Sequence, residues 1–334
     1  MRVNLQGRSL LRIGDFAPAE ILHVLDLSER LKREKRAGAE DRRLEGRNIA
    51  LIFEKSSTRT RCAFEVAAAD QGAHTTNIDS SGTHLGAKES MRDTARVLGR
   101  LYDGIEYRGH AHRSVQELAL HSGVPVWNGL TDEHHPTQAL ADLMTMREHG
   151  SGDLAGVRLA FLGDASNNTA ASLVMAAATM GMDVRVAAPR ACWPGPSNRA
   201  EAEAAAAAAG GRVSVDEGIA DAVAGCDFVY TDVWVSLGEP EKIWAERIEQ
   251  LRPYQVNRSV MAATGNPRTR FLHCLPAFHD LETAVGRDIH ERFGLDAMEV
   301  TDEVFDSDAS IVFDQAENRM HTIKALMIAT LTGE

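Results

Sequence analysis

Short apolar runs, each joined to a stretch of helical periodicity, succeed one another in two separate series along the 334-residue chain, and this constrains the fold more than any other feature. In the first series a strand is expected over 48–53 with a helix over 58–70, then helices over 90–101, 114–121 and 136–148 with strands over 102–107 and 124–127. In the second, strands over 157–162, 183–188, 227–230 and 269–275 alternate with helices over 168–180, 198–209 and 240–251, and a terminal helix covers about 316–331. A strand that returns through a helix lies parallel to its predecessor, so each series implies a parallel sheet with helices on its faces. Ahead of both, Ile21, Leu22, Val24, Leu25, Leu27 and Leu31 follow Pro18 at the spacing of an amphipathic helix. The segment His149-Gly150-Ser151-Gly152-Asp153 interrupts the alternation. The expectation is therefore an α/β protein of two doubly wound parallel-sheet domains, 1–149 and 150–315, with the terminal helix (about 316–334) packed back on the first. Ligands are expected in the cleft between the domains, at the carboxyl ends of the strands.

Composition narrows the partners. A formal net charge of -12 argues against nucleic acid or an anionic membrane, so any anion must be held by a local cationic cluster. Cys62, Cys192, Cys226 and Cys274 are scattered without paired or zinc-like spacing, which suggests reduced thiols in a cytoplasmic protein. No apolar stretch reaches the length of a membrane span and none resembles a signal peptide. The alanine run 204–209 reads as a plain surface helix.

Such a cluster follows the first strand. Ser57-Thr58-Arg59-Thr60-Arg61 places three hydroxyls and two guanidinium groups where a helix begins. The first N–H groups of a helix lack intrahelical partners and the macrodipole there is positive, so backbone, hydroxyl and Arg together suit a dianionic phosphate. Further candidates sit at other strand ends or helix starts: Arg108 after its strand, and His135 and Gln138 around Pro136 at a helix start. Phe161-Leu162-Gly163-Asp164-Ala165-Ser166-Asn167-Asn168 is a strand-to-helix turn without the three-glycine spacing of a dinucleotide fingerprint, so no nicotinamide cofactor is expected. Asp232 and Ser236 end another strand, where they serve equally as helix caps. Cys274 precedes Leu275-Pro276 and serves equally as a buried apolar residue. Arg319 falls in the first turns of the expected terminal helix, where the dipole disfavours it, so either a local anion or a salt bridge to Glu317 or Asp314 is expected.

Ser57-Thr58-Arg59-Thr60-Arg61, His135-Pro136-Thr137-Gln138, Asp232-Val233-Trp234-Val235-Ser236 and His273-Cys274-Leu275-Pro276 together resemble the ornithine carbamoyltransferases, as do Lys88-Glu89-Ser90 and Ala316-Glu317-Asn318-Arg319. The resemblance implies transfer of the carbamoyl group of carbamoyl phosphate to the side-chain amine of L-ornithine, giving citrulline and phosphate, without cofactor or metal. It implies that Ser57, Thr58, Arg59 and Thr60 hold the phosphate and that Arg108 and His135 polarise the carbonyl oxygen. Gln138, Arg319 and the carbonyls near Cys274 and Leu275 would orient the carbamoyl nitrogen. Asn168, Asp232, Ser236 and the backbone at Leu237 would fix ornithine, with Asp232 and Cys274 facing its amine. A loop carrying His84 and Lys88 would reach a neighbouring subunit, which implies a homotrimer. Thr169, Ala170 and Leu237 depart from the usual residues, which leaves a carbamoyltransferase for another amine, such as putrescine, as an alternative. A non-catalytic binding or sensor protein is the alternative of another class.

Overall fold

The run Asn48–Phe53 is five buried residues after one exposed one, the pattern of a central strand covered on both faces. It is β1 of a computed structural model that describes residues 3–79, 89–235 and 241–334. The chain divides into two compact units, Met1–Met144 with Ala316–Glu334, and Thr145–Gln315.

The first unit contains α1 (Pro18–Arg36), β1, α2 (Thr58–Asp70), β2 (His74–Asp79), α3 (Met91–Leu101), β3 (Gly104–Arg108), α4 (His112–Ser122) and β4 (Val126–Leu130), and most of α5 (Pro136–His149). Its four strands are all parallel and run in the order β2-β1-β3-β4. Side chains alternate between faces. Ala50, Ile52, Ile105, Tyr107 and Val126 face Ala95 and Leu98 of α3 and Val115 and Leu118 of α4. The opposite face carries Trp127, whose ring tilts against Phe64 of α2 and whose indole N–H donates to Thr330 near the chain end. Lys324 is wholly buried and bonded to Glu40 and to Asp70 of α2, a paired charge that ties the terminal helix into this unit.

The second unit holds β5 (Arg158–Leu162), α6 (Asn168–Thr179), β6 (Asp183–Ala187), α7 (Pro196–Ala209), β7 (Arg212–Asp216), α8 (Ile219–Val223), β8 (Phe228–Thr231), α9 (Glu241–Leu251), α10 (Arg258–Ala263), β9 (Arg270–His273), α11 (Ala284–Phe293) and α12 (Asp302–Phe305). Its sheet, also parallel throughout, runs β7-β6-β5-β8-β9. One side of it packs Ala160, Leu162, Val229 and Phe271 against Val223, Val260, Val300 and Val304.

In each sheet the chain builds outward in one direction, then returns to the first strand and builds in the other. The reversal lies between β1 and β3 in the first unit and between β5 and β8 in the second. Loops leaving adjacent strands at such a point part to opposite faces and open a crevice at the strand carboxyl ends.

Three differences from the sequence reading have physical causes. β2 and β7 went unread because both are edge strands; His74–Asp79 has no fully buried residue and Arg212–Asp216 only one. The short helices α8, α10, α11 and α12 were likewise unread. The terminal helix, α13, spans Val312–Thr332 and so starts four residues early, which moves Arg319 out of the first turn and removes the dipole argument for an anion beside it. Among the described residues no helix is long and apolar enough to cross a membrane.

Candidate functional site

Ser57 caps α2, its Oγ accepting the N–H of Thr60 at 3.2 Å, so the helix begins immediately beyond β1 at the reversal point of the first sheet. Thr58 and Arg59 are exposed at that terminus, while Thr60 is wholly buried. The Thr60 hydroxyl oxygen accepts twice: from Nη2 of Arg319 at 2.7 Å and from Nη1 of Arg108, at the end of β3, at 3.2 Å. Both lone pairs are then engaged and the hydroxyl proton remains to be donated.

Arg319 is 5% exposed and extends further, Nη1 donating to Gln138 Oε1 at 3.2 Å and Nη2 approaching the Gly129 carbonyl at 3.5 Å. Gln138 in turn donates to the buried Asp142 at 2.8 Å. The salt bridges considered for Arg319 from sequence go elsewhere: Glu317 meets Arg36 and His321, and Asp314 meets His149. Arg61, last of the five-residue run, turns to Glu65 one helical turn on, a surface pair outside the cluster.

His135 lies buried just ahead of Pro136, the first residue of α5. Burial holds its pKa well below the usual histidine value, and the Arg319, Arg108 and Arg59 guanidinium groups push the same way. The first unit thus gathers three guanidinium groups, three hydroxyls, a helix N-terminus and a neutral imidazole, an arrangement suited to a dianion with a polarisable carbonyl attached.

At the reversal point of the second sheet Asp232 follows β8 and is 7% exposed. Its Oδ1 accepts the Val233 N–H at 2.8 Å and the Cys274 thiol at 3.2 Å, and its Oδ2 accepts Nδ2 of Asn167 at 3.2 Å. Asn167 also caps α6, accepting the Ala170 N–H at 2.8 Å, so one side chain fixes both a helix start and a carboxylate. The sequence reading chose its neighbour Asn168, the first helical residue; the cap position preceding an apolar helix was the signal for Asn167. Asp164 braces the same turn through Ser166 Oγ at 2.6 Å and an ion pair with Arg247 of α9.

Cys274 stands just after β9, and Leu275 beyond it has φ +58° and a cis bond to Pro276. The positive φ is disfavoured for leucine; here the Leu275 N–H is held by Nδ1 of His273 at 2.9 Å. Asp232, His273 and Cys274 bring an oxygen, a nitrogen and a sulfur within 4.8 Å of one another, a set that could hold a metal ion. Against that, Nδ1 of His273 already accepts from Leu275, and Nε2, which then carries the proton, lies 3.3 Å from the buried Glu299 carboxylate. The engaged Nδ1 is therefore not open to a metal, and Nε2 is buried beside Glu299 without a hydrogen bond.

Ser57, Thr58, Arg59, Thr60, Arg108, His135, Gln138 and Arg319 belong to the first unit, and Asn168, Asp232, Cys274 and Leu275 to the second. His84, Lys88, Ser236 and Leu237 lie outside the described residues.

Family models match nearly the whole chain: the carbamoyl-P binding domain of aspartate/ornithine carbamoyltransferase over residues 8–148, and the Asp/Orn binding domain over residues 155–330. Among solved structures, an ornithine carbamoyltransferase from Pyrococcus furiosus is 40% identical, with 99% of each chain covered and a TM-score of 0.91. One from Thermus thermophilus is 36% identical over 96% of this chain and 97% of that one, with a TM-score of 0.79. One from Gloeobacter violaceus is 34% identical over 98% and 100%, with a TM-score of 0.83.

Proposed function

Since the chain belongs to the aspartate/ornithine carbamoyltransferase family, we propose that it transfers the carbamoyl group of carbamoyl phosphate to the side-chain amine of L-ornithine, releasing L-citrulline and phosphate. The observation that carries this reading is the Thr60 hydroxyl, clamped by Arg108 and Arg319 at the N-terminus of α2 with its proton left to donate. A phosphate placed there would receive N–H groups of the helix start, the hydroxyls of Ser57, Thr58 and Thr60, and the Arg59 guanidinium.

The chemistry needs an aligned neutral amine, a stabilised oxyanion and a stabilised leaving phosphate. As a neutral imidazole, His135 donates one hydrogen bond to the carbamoyl oxygen without adding a charge, and Arg108 supplies the cation for the charge that develops there. Gln138, oriented by Asp142 and Arg319, takes the carbamoyl amide. The family likeness adds the backbone carbonyls of Cys274 and Leu275 for the remaining N–H groups. On the amine side Asp232, set by Asn167 and the Cys274 thiol, pairs with the ornithine side-chain nitrogen as it gives up its proton, while Asn168, Ser236 and the Leu237 backbone hold the amino-acid end. Direct attack on an acyl phosphate requires no covalent cysteine intermediate, and none is proposed.

The same reading places the protein in the cytoplasm, in arginine metabolism, and in a homotrimer or an assembly of trimers through the loop carrying His84 and Lys88. The test is citrulline release from carbamoyl phosphate and ornithine, with putrescine offered in competition. Citrulline as the main product is expected; preferential carbamoylation of putrescine, or no turnover of either amine, overturns the reading.

A further inference from the structure

We propose that Glu106 is the internal countercharge of the carbamoyl phosphate site and takes up a proton from solvent when the dianionic donor binds. The inference rests on the assignment of that site to carbamoyl phosphate. It begins with strand parity: Ile105 and Tyr107 face α3 and α4, so Glu106 and Arg108 leave β3 on the opposite face. Glu106 is 0% exposed, and neither carboxyl oxygen has a hydrogen-bond partner among the described residues. A bare carboxyl inside a protein is costly, and nothing in the fold of β3 requires one there.

The neighbouring strand is shaped to admit it. β4 slips register opposite β3, with Tyr107 against Asn128 and Arg108 against Leu130, so Gly129 is the extra residue of a bulge. A Cβ on Gly129 would lie 2.0 Å from Glu106 Oε1 and 3.2 Å from Cγ2 of Thr60. Only glycine leaves room for the carboxyl. The carbonyl of that same Gly129 receives Arg319 Nη2 at 3.5 Å and the Thr137 hydroxyl at 3.4 Å. Glu106 is therefore seated against the backbone whose carbonyl receives Arg319.

Two opposing influences act on this carboxyl. Burial drives its pKa well up and outweighs the downward pull of Arg108 from its own strand and Arg319 from α13. On the β4 side the carboxyl abuts the Gly129 backbone, which carries no titratable group. A dianion bound by these arginines cancels their pull and adds a repulsion of its own, so the carboxylate binds H⁺ as the donor arrives. No bond beyond O–H forms and no other group changes composition. Above its raised pKa, Glu106 is a carboxylate in the empty site and offsets part of the charge of the clustered guanidinium groups; in the loaded site the neutral acid avoids opposing the phosphate. Glu106 is thus a positioning residue acting through Arg108 and Arg319. His135 faces the same arginines, so its proton affinity also rises on binding and must be separated from that of Glu106.

The experiment is calorimetric titration of the full chain with carbamoyl phosphate, without ornithine, in buffers of different ionisation enthalpy between about pH 6.5 and 9. The buffer dependence of the heat counts protons. Wild type should take up on the order of half a proton or more per site within this range, and Glu106→Gln should bind the donor with that uptake lost or cut to the His135 share. Equal uptake by Glu106→Gln and wild type overturns the inference, as does wild-type binding without uptake at any pH tested. Should the variant not fold, the infrared difference spectrum of wild type with and without donor decides: a new protonated-carboxyl C=O band supports the inference and its absence overturns it. A chain that binds no carbamoyl phosphate at all overturns the site assignment itself, and this inference with it.

Discussion

Replacing Thr60 with valine keeps the shape of a wholly buried side chain while removing the oxygen on which Arg108 and Arg319 converge. A hydrogen bond to a charged group contributes about 1.5–3 kcal/mol net, and the 2.7 Å bond from the 5%-exposed Arg319 warrants that full range. The 3.2 Å bond from the half-buried Arg108 is longer and closer to water, so about 0.5–1 kcal/mol is appropriate. The loss for Thr60→Val is therefore about 2–4 kcal/mol, or on the order of 5–15 °C in the melting of a unit of this size. Thr60→Ser keeps the acceptor and sheds one methyl group, which costs about 1 kcal/mol. Melting by circular dichroism separates the two variants, and steady-state kinetics extends the test: Thr60→Val should raise KM for carbamoyl phosphate by at least ~10-fold, Thr60→Ser by less than ~3-fold. Equal destabilisation of the two variants would assign the position to packing, and a wild-type melt for Thr60→Val would refute the convergence argument outright.

His135→Asn should lower kcat by roughly 10²–10³ with a KM for carbamoyl phosphate within about tenfold of wild type, because the neutral imidazole serves mainly the developing oxyanion; kinetics at saturating ornithine checks this. Asn167→Asp retains the cap of α6 but loses the N–H donor to Asp232, so KM for ornithine should rise ~10-fold or more while KM for carbamoyl phosphate stays within ~2-fold. Burial lowers the pKa of His321, only 1% exposed, to about 4 despite Glu317 beside it, and lowers that of His134 to about 4 as well, with His112 and Arg12 adding to the effect. A folded-state pKa below the unfolded ~6.5 means the unfolded chain binds more protons in between, so stability is whole above about pH 6.5 and declines toward pH 4. The unfolding free energy from urea titrations should fall across that window by on the order of 2–3 kcal/mol for His321, less for the more exposed His134, and His321→Gln should flatten the decline.

How much of this could be read from residues alone follows the physics of each element. β1 and α2 were legible because a continuous apolar run meets a Ser cap, and both signals are local. β2 and β7 were not, since an edge strand has little to bury and so shows no run. The hydroxyls of Ser57, Thr58 and Thr60 and the guanidinium of Arg59 were legible as a cluster at a helix start. The partners of Arg319 were not: it reaches Thr60 from 259 positions away, and no spacing encodes a contact of that range. Asn167 was passed over for Asn168 because a cap and a first helical residue differ only in backbone geometry, which chooses the side chain that turns to Asp232. Glu106 was invisible for a related reason, since a carboxylate within a strand reads as a solvent-facing position until the bulge at Gly129 is seen to enclose it.

The most direct measurement is a crystal structure of the chain with carbamoyl phosphate. The phosphate should lie at the N-terminus of α2, within about 2.7–3.1 Å of the Ser57 and Thr60 hydroxyls and the Arg59 guanidinium, with the carbamoyl oxygen turned to His135 and Arg108. Density for the donor at the start of α6, with the start of α2 bare, would contradict the account at its foundation.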